Sequence, residues 1–386
     1  MGIRATPADT RRFFRSTPPV ATDDGAHGYR IGDEIIHSTL GHAWICVGNS
    51  TGAAQWRRMQ RRKGPTSSAF GDSIANGTGA STTDLCFRRL VEIDNGWNMT
   101  NRSISGRQAA DFADNVLGLS VSNDHVAIML LGFNDMRAKG TDATALACYR
   151  RTVNAFLAWL SMPANRALKA QSASVTYSGT WSNSSVFGGG MVKYSSANGS
   201  TATFKLYGTV AYVCILQYSG STRAFQISVD GVDKGTYHGS DFPATVNGRV
   251  YSPYLIRISG LTEAEHTVVL TVVNGTGNAY FCWAAAPGGK KTKSGPYVYL
   301  GNCLRMNATG YISGGADWDN GSDDAVRQYN EAMRTDVASL AGDGLPVTLV
   351  DACSYYNILT DLDTDNIHPN DTGHSHVADA FLGELR

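Results

Sequence analysis

The sequence predicts an α/β fold whose parallel sheet is interrupted by an inserted all-β sandwich. Residues 64–170 and 292–386 alternate apolar strands with amphipathic helices, which is the pattern of a parallel sheet covered by helices. Residues 171–291 are instead rich in Ser, Thr, Gly, Tyr and Val, and short strands alternate with turns. Because the α/β pattern resumes afterwards, the β-rich stretch is predicted to be an insertion into one α/β domain.

Residues 1–63 are predicted to form a small β-rich attachment module and a linker. Two short strands are expected at residues 28–36 and 42–47, with turn residues between them. The basic run at residues 57–63 is typical of a solvated linker and marks the domain boundary. A module of this size buries little core, so we expect it to depend on neighbours or on oligomerisation.

The first part of the α/β domain begins with a strand that runs into Gly71-Asp72-Ser73. A second short strand at residues 98–106 ends on a glycine, and the almost continuous apolar run at residues 125–131 is typical of a buried parallel strand. Helices are expected at residues 82–92, 109–117 and 142–161. Each strand is therefore followed by a loop and a helix.

The insertion shows many strands at regular spacing, which favours a two-sheet sandwich. The clearest strands are expected at residues 203–207, 211–216, 224–229, 254–258 and 266–273. Asp230-Gly231 is a hairpin signal. Residues 288–291 are expected to link the insertion back to the α/β domain, which continues with a strand at 297–301, a helix at 324–341, a strand at 346–351 and a closing helix at 375–385.

Composition excludes several classes of function. Lys plus Arg and Asp plus Glu both number 33, and a formal charge of zero argues against nucleic-acid binding. No apolar stretch reaches 18 residues, which argues against membrane insertion, and the N-terminus lacks the apolar run of a signal peptide. The seven cysteines include no C-x-x-C pair, so the pattern favours neither a zinc site nor a disulfide framework. No cofactor is predicted.

Polar residues at the strand ends form a candidate hydrolytic site, because ligands of open α/β sheets bind at the carboxyl ends of the strands. Ser73 is the predicted nucleophile, His368 the base that removes its proton, and Asp365 the group that orients the imidazole. The backbone N–H groups of Ser73 and Gly106 and the side-chain amide of Asn134 are the predicted oxyanion donors.

Other polar residues near these blocks receive structural interpretations. Asp72 and Asp135 are expected to brace loops as hydrogen-bond acceptors, and His374 and His376 to cap or pack at the start of the closing helix.

Two alternatives concern the last loop. Asp363 competes with Asp365 for His368, although its spacing is less favourable. A metal site built from Asp361, Asp363, Asp365 and His368 is disfavoured, because the glycine and distal glutamate of an EF-hand are absent in register.

The blocks Gly71-Asp72-Ser73, Gly106, Gly132-x-Asn134-Asp135 and Asp365-x-x-His368 occur in the order of the SGNH (GDSL-type) hydrolase family, which the α/β parts of the chain resemble. The resemblance implies a flavodoxin-like α/β/α sandwich and ester hydrolysis through a serine acyl-enzyme. The insertion resembles the jelly-roll, carbohydrate-binding-like modules of some polysaccharide esterases. Residues 28–33, 42–44 and 53–57 resemble small β modules of phage tail fibres and tailspikes, which implies attachment to a particle and often a trimer.

The sequence thus predicts a serine esterase that removes acyl groups, above all acetyl, from a bacterial surface polysaccharide. The expected setting is a phage tail fibre or tailspike made in the host cytoplasm, with other tail proteins as partners and a homotrimer as the assembly. Two alternatives stay open: a lipase, thioesterase or acyltransferase with the same triad, and a receptor-binding module with a vestigial site. The aromatic residues of the insertion suit either sugar stacking or a structural lid.

Overall fold

A computed structural model of the 386-residue chain describes residues 11–15, 17–37, 43–58, 65–118, 124–163, 166–188, 190–287 and 296–385. Residues 59–63 of the predicted linker and the predicted return segment at 288–291 lie outside the described residues. Within the described ranges, no helix combines the length and the apolar character that crossing a membrane requires.

The N-terminal residues form a small four-stranded sheet. Its strands, which pair in chain order, are β1 (Arg12–Arg15), β2 (Glu34–His37), β3 (Ala43–Gly48) and β4 (Gln55–Arg58). Strand β1 pairs parallel with β2, and the other pairs are antiparallel. The strand predicted at residues 28–36 is wrong in its first half, because Gly28 and Gly32 adopt positive φ angles and form turns there.

The α/β domain has a five-stranded parallel sheet, assembled from both halves of the chain. Its first three strands are β5 (Thr66–Gly71), β6 (Asn98–Asn101) and β7 (Val126–Leu130). Two later strands, whose bounds are given below, extend the sheet beyond β7. All described residues of β7 are buried, as its apolar run predicts.

Helices follow these strands. They are α1 (Ser73–Asn76), α2 (Phe87–Asn95), α3 (Ala113–Leu117), α4 (Phe133–Lys139) and α5 (Ala143–Ser161). Short 3-10 turns at Thr83–Leu85 and Ala109–Phe112 occupy the first residues of two predicted helices. The helix predicted at residues 142–161 is confirmed almost to the residue, with Asp142 as its N-cap, accepting a hydrogen bond from the N–H of Ala145 at 2.7 Å.

Residues 167–285 form two packed antiparallel sheets, and their first strand precedes the predicted start of the insertion at residue 171. Their strands are β8 (Ala167–Lys169), β9 (Thr176–Ser178), β10 (Ser182–Ser184), β11 (Val192–Ser195), β12 (Thr201–Gly208), β13 (Ala211–Tyr218), β14 (Ala224–Val229), β15 (Val232–Tyr237), β16 (Tyr251–Ile258), β17 (Ala264–Val273) and β18 (Ala279–Ala285). One sheet has the order β10-β11-β18-β13-β16, with β8 also paired to β18, and the other has the order β15-β14-β17-β12-β9. Between them lies an apolar core in which the rings of Phe204 and Phe281 stack.

The chain then completes the parallel sheet. The remaining elements are β19 (Tyr297–Gly301), α6 (Ala308–Tyr311), α7 (Asp323–Gly342), β20 (Val347–Val350), α8 (Ala352–Tyr355) and α9 (Asp371–Leu385). The order of the strands in the sheet is β20-β19-β7-β5-β6. If the five strands are numbered 1 to 5 in chain order, reading the sheet from the β6 edge gives 2-1-3-4-5, an order found among doubly wound α/β sheets. The chain adds β6 on one side of β5 and β7 and the later strands on the other, so the topology switches beside β5. Ser73 lies just beyond the carboxyl end of this strand.

The sandwich lies against the α/β domain through the outer face of its six-stranded sheet. Trp283 of β18 is fully buried and packs against Trp159 of α5, with ring centroids 5.5 Å apart. The side-chain amide of Gln217 donates hydrogen bonds to the carbonyl of Cys148 at 3.1 Å and to the hydroxyl of Thr152 at 2.9 Å, both on α5. The central strands β13 and β18 of this sheet are therefore buried on both faces, whereas the edge strand β10 is largely exposed.

Candidate active site

Ser73 is the first residue of α1, immediately beyond the carboxyl end of β5. Asp72 caps this short helix by accepting a hydrogen bond from the N–H of Ile74 at 3.0 Å. A Cβ added at Gly71 would lie 2.4 Å from the Cβ of Ala75 and 2.6 Å from the carbonyl oxygen of Leu130, so only glycine lets the strand end pack so closely. The result is a tightly held turn that presents the Ser73 hydroxyl at the sheet edge.

His368 lies between Ser73 and Asp365. Its Nε2 atom is 2.8 Å from the Ser73 hydroxyl oxygen, and its Nδ1 atom is 2.5 Å from a carboxylate oxygen of Asp365. A neutral imidazole with its proton on Nδ1 donates to Asp365 and leaves Nε2 to accept the proton of the serine hydroxyl. The structure thus brings the three predicted triad residues into one hydrogen-bonded chain.

The Asp365 carboxylate is held by its own loop. Partial burial opposes its ionisation, but hydrogen bonds from the His368 side chain and from the backbone N–H groups of His368 and Ile367 outweigh burial and lower its pKa. The competing residue Asp363 accepts from the N–H of Thr364 instead, and its own N–H donates to the His368 carbonyl. Asp365, rather than Asp363, therefore orients the imidazole.

Gly106 lies in the loop after β6 and Asn134 in the first turn of α4, which follows β7, and these two strands flank β5. Gly106 has a φ of +72°, and its N–H donates to no described residue. Asn134 is 3 % exposed at the start of α4, and its amide nitrogen donates one hydrogen bond to the Arg107 carbonyl at 3.0 Å. A primary amide has a second N–H, which stays available for an oxyanion.

Two buried carboxyl groups support these loops. Asp135 accepts a hydrogen bond from the N–H of Ala109 at 2.8 Å, which ties α4 to the turn after Gly106. Burial is the main reason that the pKa of Asp135 and that of Asp72 both rise to about 7, and the nearby charges of Asp111 and Asp72 add to the effect at Asp135. Both residues have the loop-bracing contacts that the sequence predicts.

The two other histidines near the last loop form hydrogen bonds with groups other than Ser73 and Asp365. His374 is fully buried, accepts a hydrogen bond from the N–H of Phe87 at the start of α2, and contacts the Thr78 carbonyl through Nε2. Burial lowers its pKa to about 4, so it stays neutral at physiological pH. His376 Nδ1 lies 2.7 Å from a carboxylate oxygen of Asp361.

Sequence reasoning missed one group of residues beside Gly106, and they come from the inserted sandwich. The side-chain amide of Asn247 donates a hydrogen bond to the Gly106 carbonyl at 2.9 Å, and the N–H of Val246 donates to the Gln108 side chain at 2.7 Å. Nothing in the spacing of these polar loop residues predicts the contact, because 141 positions separate Asn247 from Gly106.

The aromatic residues of the insertion mostly serve packing. Tyr212 and Trp283 are buried on the side that faces the α/β domain, and Trp181 stacks on Phe225. Tyr207 is different, because 56 % of its surface is exposed.

No protein-family model matches the chain, and no curated protein matches it. Among solved structures, the chain is similar to a two-domain esterase active on acetylated mannans, with 12% identity, 58% of this chain and 91% of that chain covered, and a TM-score of 0.33. It is also similar to a family 3 carbohydrate esterase of Clostridium thermocellum, with 10% identity, 83% of this chain and 94% of that chain covered, and a TM-score of 0.36. A further similar structure is the CBM36-1 domain of a multidomain xylanase from the hindgut metagenome of Trinervitermes trinervoides, with 21% identity, 33% of this chain and 98% of that chain covered, and a TM-score of 0.25. Because all three TM-scores lie below 0.5, the functional conclusion below rests on the site geometry.

Proposed function

We propose that this protein is a serine carboxylic-ester hydrolase of the SGNH type that removes O-acetyl groups from a bacterial surface polysaccharide. The observation that carries the proposal is the hydrogen-bonded chain from the Ser73 hydroxyl through His368 to Asp365 at the carboxyl edge of the parallel sheet. A serine hydroxyl is a weak nucleophile unless a positioned base removes its proton, and His368 has that position.

In the first half of the reaction, the Ser73 oxygen attacks the ester carbonyl while His368 Nε2 takes the hydroxyl proton. Asp365 stabilises the imidazolium that forms and keeps the ring in the required tautomer. The tetrahedral intermediate then collapses: the bond to the sugar oxygen breaks, His368 returns the proton to that oxygen, and the sugar leaves as an alcohol. Ser73 keeps the acyl group as an ester.

Negative charge develops on the carbonyl oxygen during this attack, and preorganised donors stabilise it. The N–H groups of Ser73 and Gly106 and the second amide N–H of Asn134 are the donors in this proposal. In the second half of the reaction, water attacks the acyl-enzyme with His368 again as base. Ser73 is regenerated and the acid, acetate for an acetyl ester, is released.

The exposure of the site supports an ester carried on a polymer. The Asp365 side chain is 40% exposed, that of His368 is 15% exposed and Ser73 is 7% exposed, so the triad lies just below the surface with Asp365 outermost. Such a shallow position suits a short acyl group projecting from a bulky chain better than a long acyl chain, which needs a deep apolar pocket. The sandwich beside the site adds surface along which a polymer could lie.

For the N-terminal sheet we keep the proposal of a phage tail attachment module that forms a homotrimer in the virion. It is supported by the resemblance of residues 28–33, 42–44 and 53–57 to tail-fibre modules. The small core of the sheet, which includes Ile35 and Cys46, also fits a module that gains stability from neighbours. Light scattering of the full chain is expected to give the mass of a trimer, and the mass of a monomer would contradict this assembly.

The test measures acetate release from p-nitrophenyl acetate and from an O-acetylated bacterial polysaccharide. The wild type is expected to cleave both, and Ser73→Ala and His368→Ala to lose at least ~10³ of the rate. His27→Ala is the matched control, because His27 also contacts an aspartate three positions earlier, Asp24, but lies in the N-terminal region.

Other outcomes would redirect the proposal. A wild type that leaves acetylated polysaccharides intact but cleaves long-chain esters would favour a lipase. A wild type as inert as Ser73→Ala would overturn the esterase proposal and favour a receptor-binding module.

A further inference from the structure

Residues 239–250, which make up most of the loop between β15 and β16, belong to the sandwich but make many of their contacts with the α/β domain. Phe242 is 5 % exposed and packs against Ala110, in the turn after Gly106, and against Cys148 of α5. The Cys148 thiol also lies 3.6 Å from the Asp241 carbonyl. The Phe242 side chain of the sandwich therefore packs between the Ala109–Phe112 turn and α5 of the α/β domain.

Hydrogen bonds and an ion pair also join residues 239–250 to the segment that follows Gly106. The Thr245 hydroxyl donates to one carboxylate oxygen of Asp111 at 2.9 Å, and the Asn247 amide donates to the other at 3.0 Å. The same carboxylate accepts from the N–H of Gln108 at 3.0 Å. Asp111 therefore joins the loop of the sandwich to the backbone two residues after Gly106. Arg249 adds an ion pair with Asp114 at 2.8 Å.

Gly106 itself has no side chain through which its neighbours could hold it. A Cβ built on this residue would meet no atom within 4 Å, so the space around it is open. Glycine also has the largest backbone freedom of any residue. Asn247 holds the Gly106 carbonyl, in the peptide that directly follows the Gly106 N–H. Further along the chain, Asn134 holds the Arg107 carbonyl and Asp135 holds the Ala109 N–H. Before Gly106, the N–H of Ile104 donates to the Gly71 carbonyl at 2.9 Å.

We propose that the 239–250 loop of the sandwich positions the Gly106 oxyanion donor, with Asn247 as the positioning residue. The insertion then does more than bind or cover a substrate, because it preorganises an oxyanion donor for the chemical step. It does so although all three triad residues belong to the α/β domain. The inference rests on the proposed esterase function. Since a preorganised donor acts on the transition state, loss of its positioning lowers kcat more than it changes KM for a small ester.

The kinetic test compares wild type with Asn247→Ala and Phe242→Ala in the full chain, using p-nitrophenyl acetate. Both variants are expected to lower kcat ~5- to 50-fold, less than the ~10²–10³ that loss of a whole oxyanion donor costs, with KM within about twofold. Asn274→Ala is the matched control, because Asn274 is also an exposed asparagine of the sandwich whose side chain makes a hydrogen bond, but its partner is Asn198. This control is expected to keep the wild-type kcat.

Hydrogen exchange provides a readout that does not depend on activity. In wild type, the N–H groups of Ile104, Gln108 and Ala109 are hydrogen-bonded to Gly71, Asp111 and Asp135 respectively. Peptides covering residues 104–112 are expected to exchange faster in Asn247→Ala and Phe242→Ala than in wild type and in Asn274→Ala, while peptides from β7 stay unchanged.

The two readouts separate the possible failures. Unchanged exchange at residues 104–112 would overturn the positioning role, and so would faster exchange with unchanged kcat in an active enzyme. An inert wild type would instead defeat the proposed esterase function. Exchange would then decide by itself whether the 239–250 loop holds the Gly106 segment.

Discussion

The Ser73 hydroxyl oxygen and His368 Nε2 lie 2.8 Å apart although 295 positions separate the two residues. Ser73 is held by the turn at the end of β5 and His368 by the loop before α9, so two separate segments of one domain define the distance. The entire sandwich lies between them in the chain, but the parallel sheet brings both to the same edge.

Replacing Asp365 by Asn is expected to lower kcat for p-nitrophenyl acetate by about 10⁴, because the amide favours the wrong imidazole tautomer and leaves the imidazolium unpaired. Asp363→Asn is the control, since Asp363 lies in the same loop and its carboxylate accepts from Thr364 rather than from His368. Equal losses in both variants would show that the loop needs two carboxylates and would contradict the assignment of Asp365.

Replacing Asn134 by Ala is expected to lower kcat by about 10²–10³ with a small change in KM, since it removes an oxyanion donor. It also removes the contact to the Arg107 carbonyl. The control is Asn320→Ala. The side-chain amide of Asn320 also donates to a backbone carbonyl, that of Ala138, which lies in the same helix as Asn134. Steady-state kinetics of both variants check the prediction, which fails if Asn320→Ala is equally slow.

Replacing Asp72 by Asn is expected to stabilise the protein increasingly as the pH rises from about 4 to about 7. Burial raises the pKa of Asp72 from 3.8 to about 7, so in this range the unfolded state is ionised while the folded state still holds the proton. The unfolded state is thereby favoured, and stability is lost until the folded group also ionises. Asparagine removes this penalty and keeps an oxygen to cap Ile74.

Urea unfolding at pH 5, 6, 7 and 8 measures the effect on the free energy of unfolding. The difference between variant and wild type should grow to about pH 7 and then stay constant. Asp142→Asn, at the N-cap of α5 on the surface, controls for the loss of a charge at a helix start. A difference that does not change with pH would contradict the raised pKa.

Replacing Trp283 by Ala is expected to lower the free energy of unfolding by about 3–5 kcal/mol, the usual cost of truncating a buried aromatic side chain. Because Trp283 joins the sandwich to α5, the signals of both parts should shift to lower denaturant together. Tyr207→Ala, on the exposed outer surface, should change stability by less than about 0.5 kcal/mol. Separate transitions for the two parts in wild type would argue against a tightly coupled interface.

The helices and strands were largely predictable because their signals are local. The apolar spacing of α5 and α7 and the continuous apolar run of β7 depend on residues within one element. Errors occurred where side chains or glycines redirect the backbone. The N-terminal strand predicted from residue 28 begins at Glu34, and α9 begins at Asp371 rather than at residue 375, since the helix includes polar residues that do not show the apolar period.

The sequence by itself determined the type of fold and the residues from which a hydrolytic site could be built, because strand periods, turn residues and the Asp365-x-x-His368 spacing are read within short segments. Only the tertiary structure decided that Asp365 and not Asp363 meets His368, since a loop conformation depends on its backbone hydrogen bonds. It also decided that the Asn247 side chain contacts the Gly106 carbonyl, although 141 positions separate the two residues. Such contacts follow from how whole sheets pack, and no local pattern encodes them.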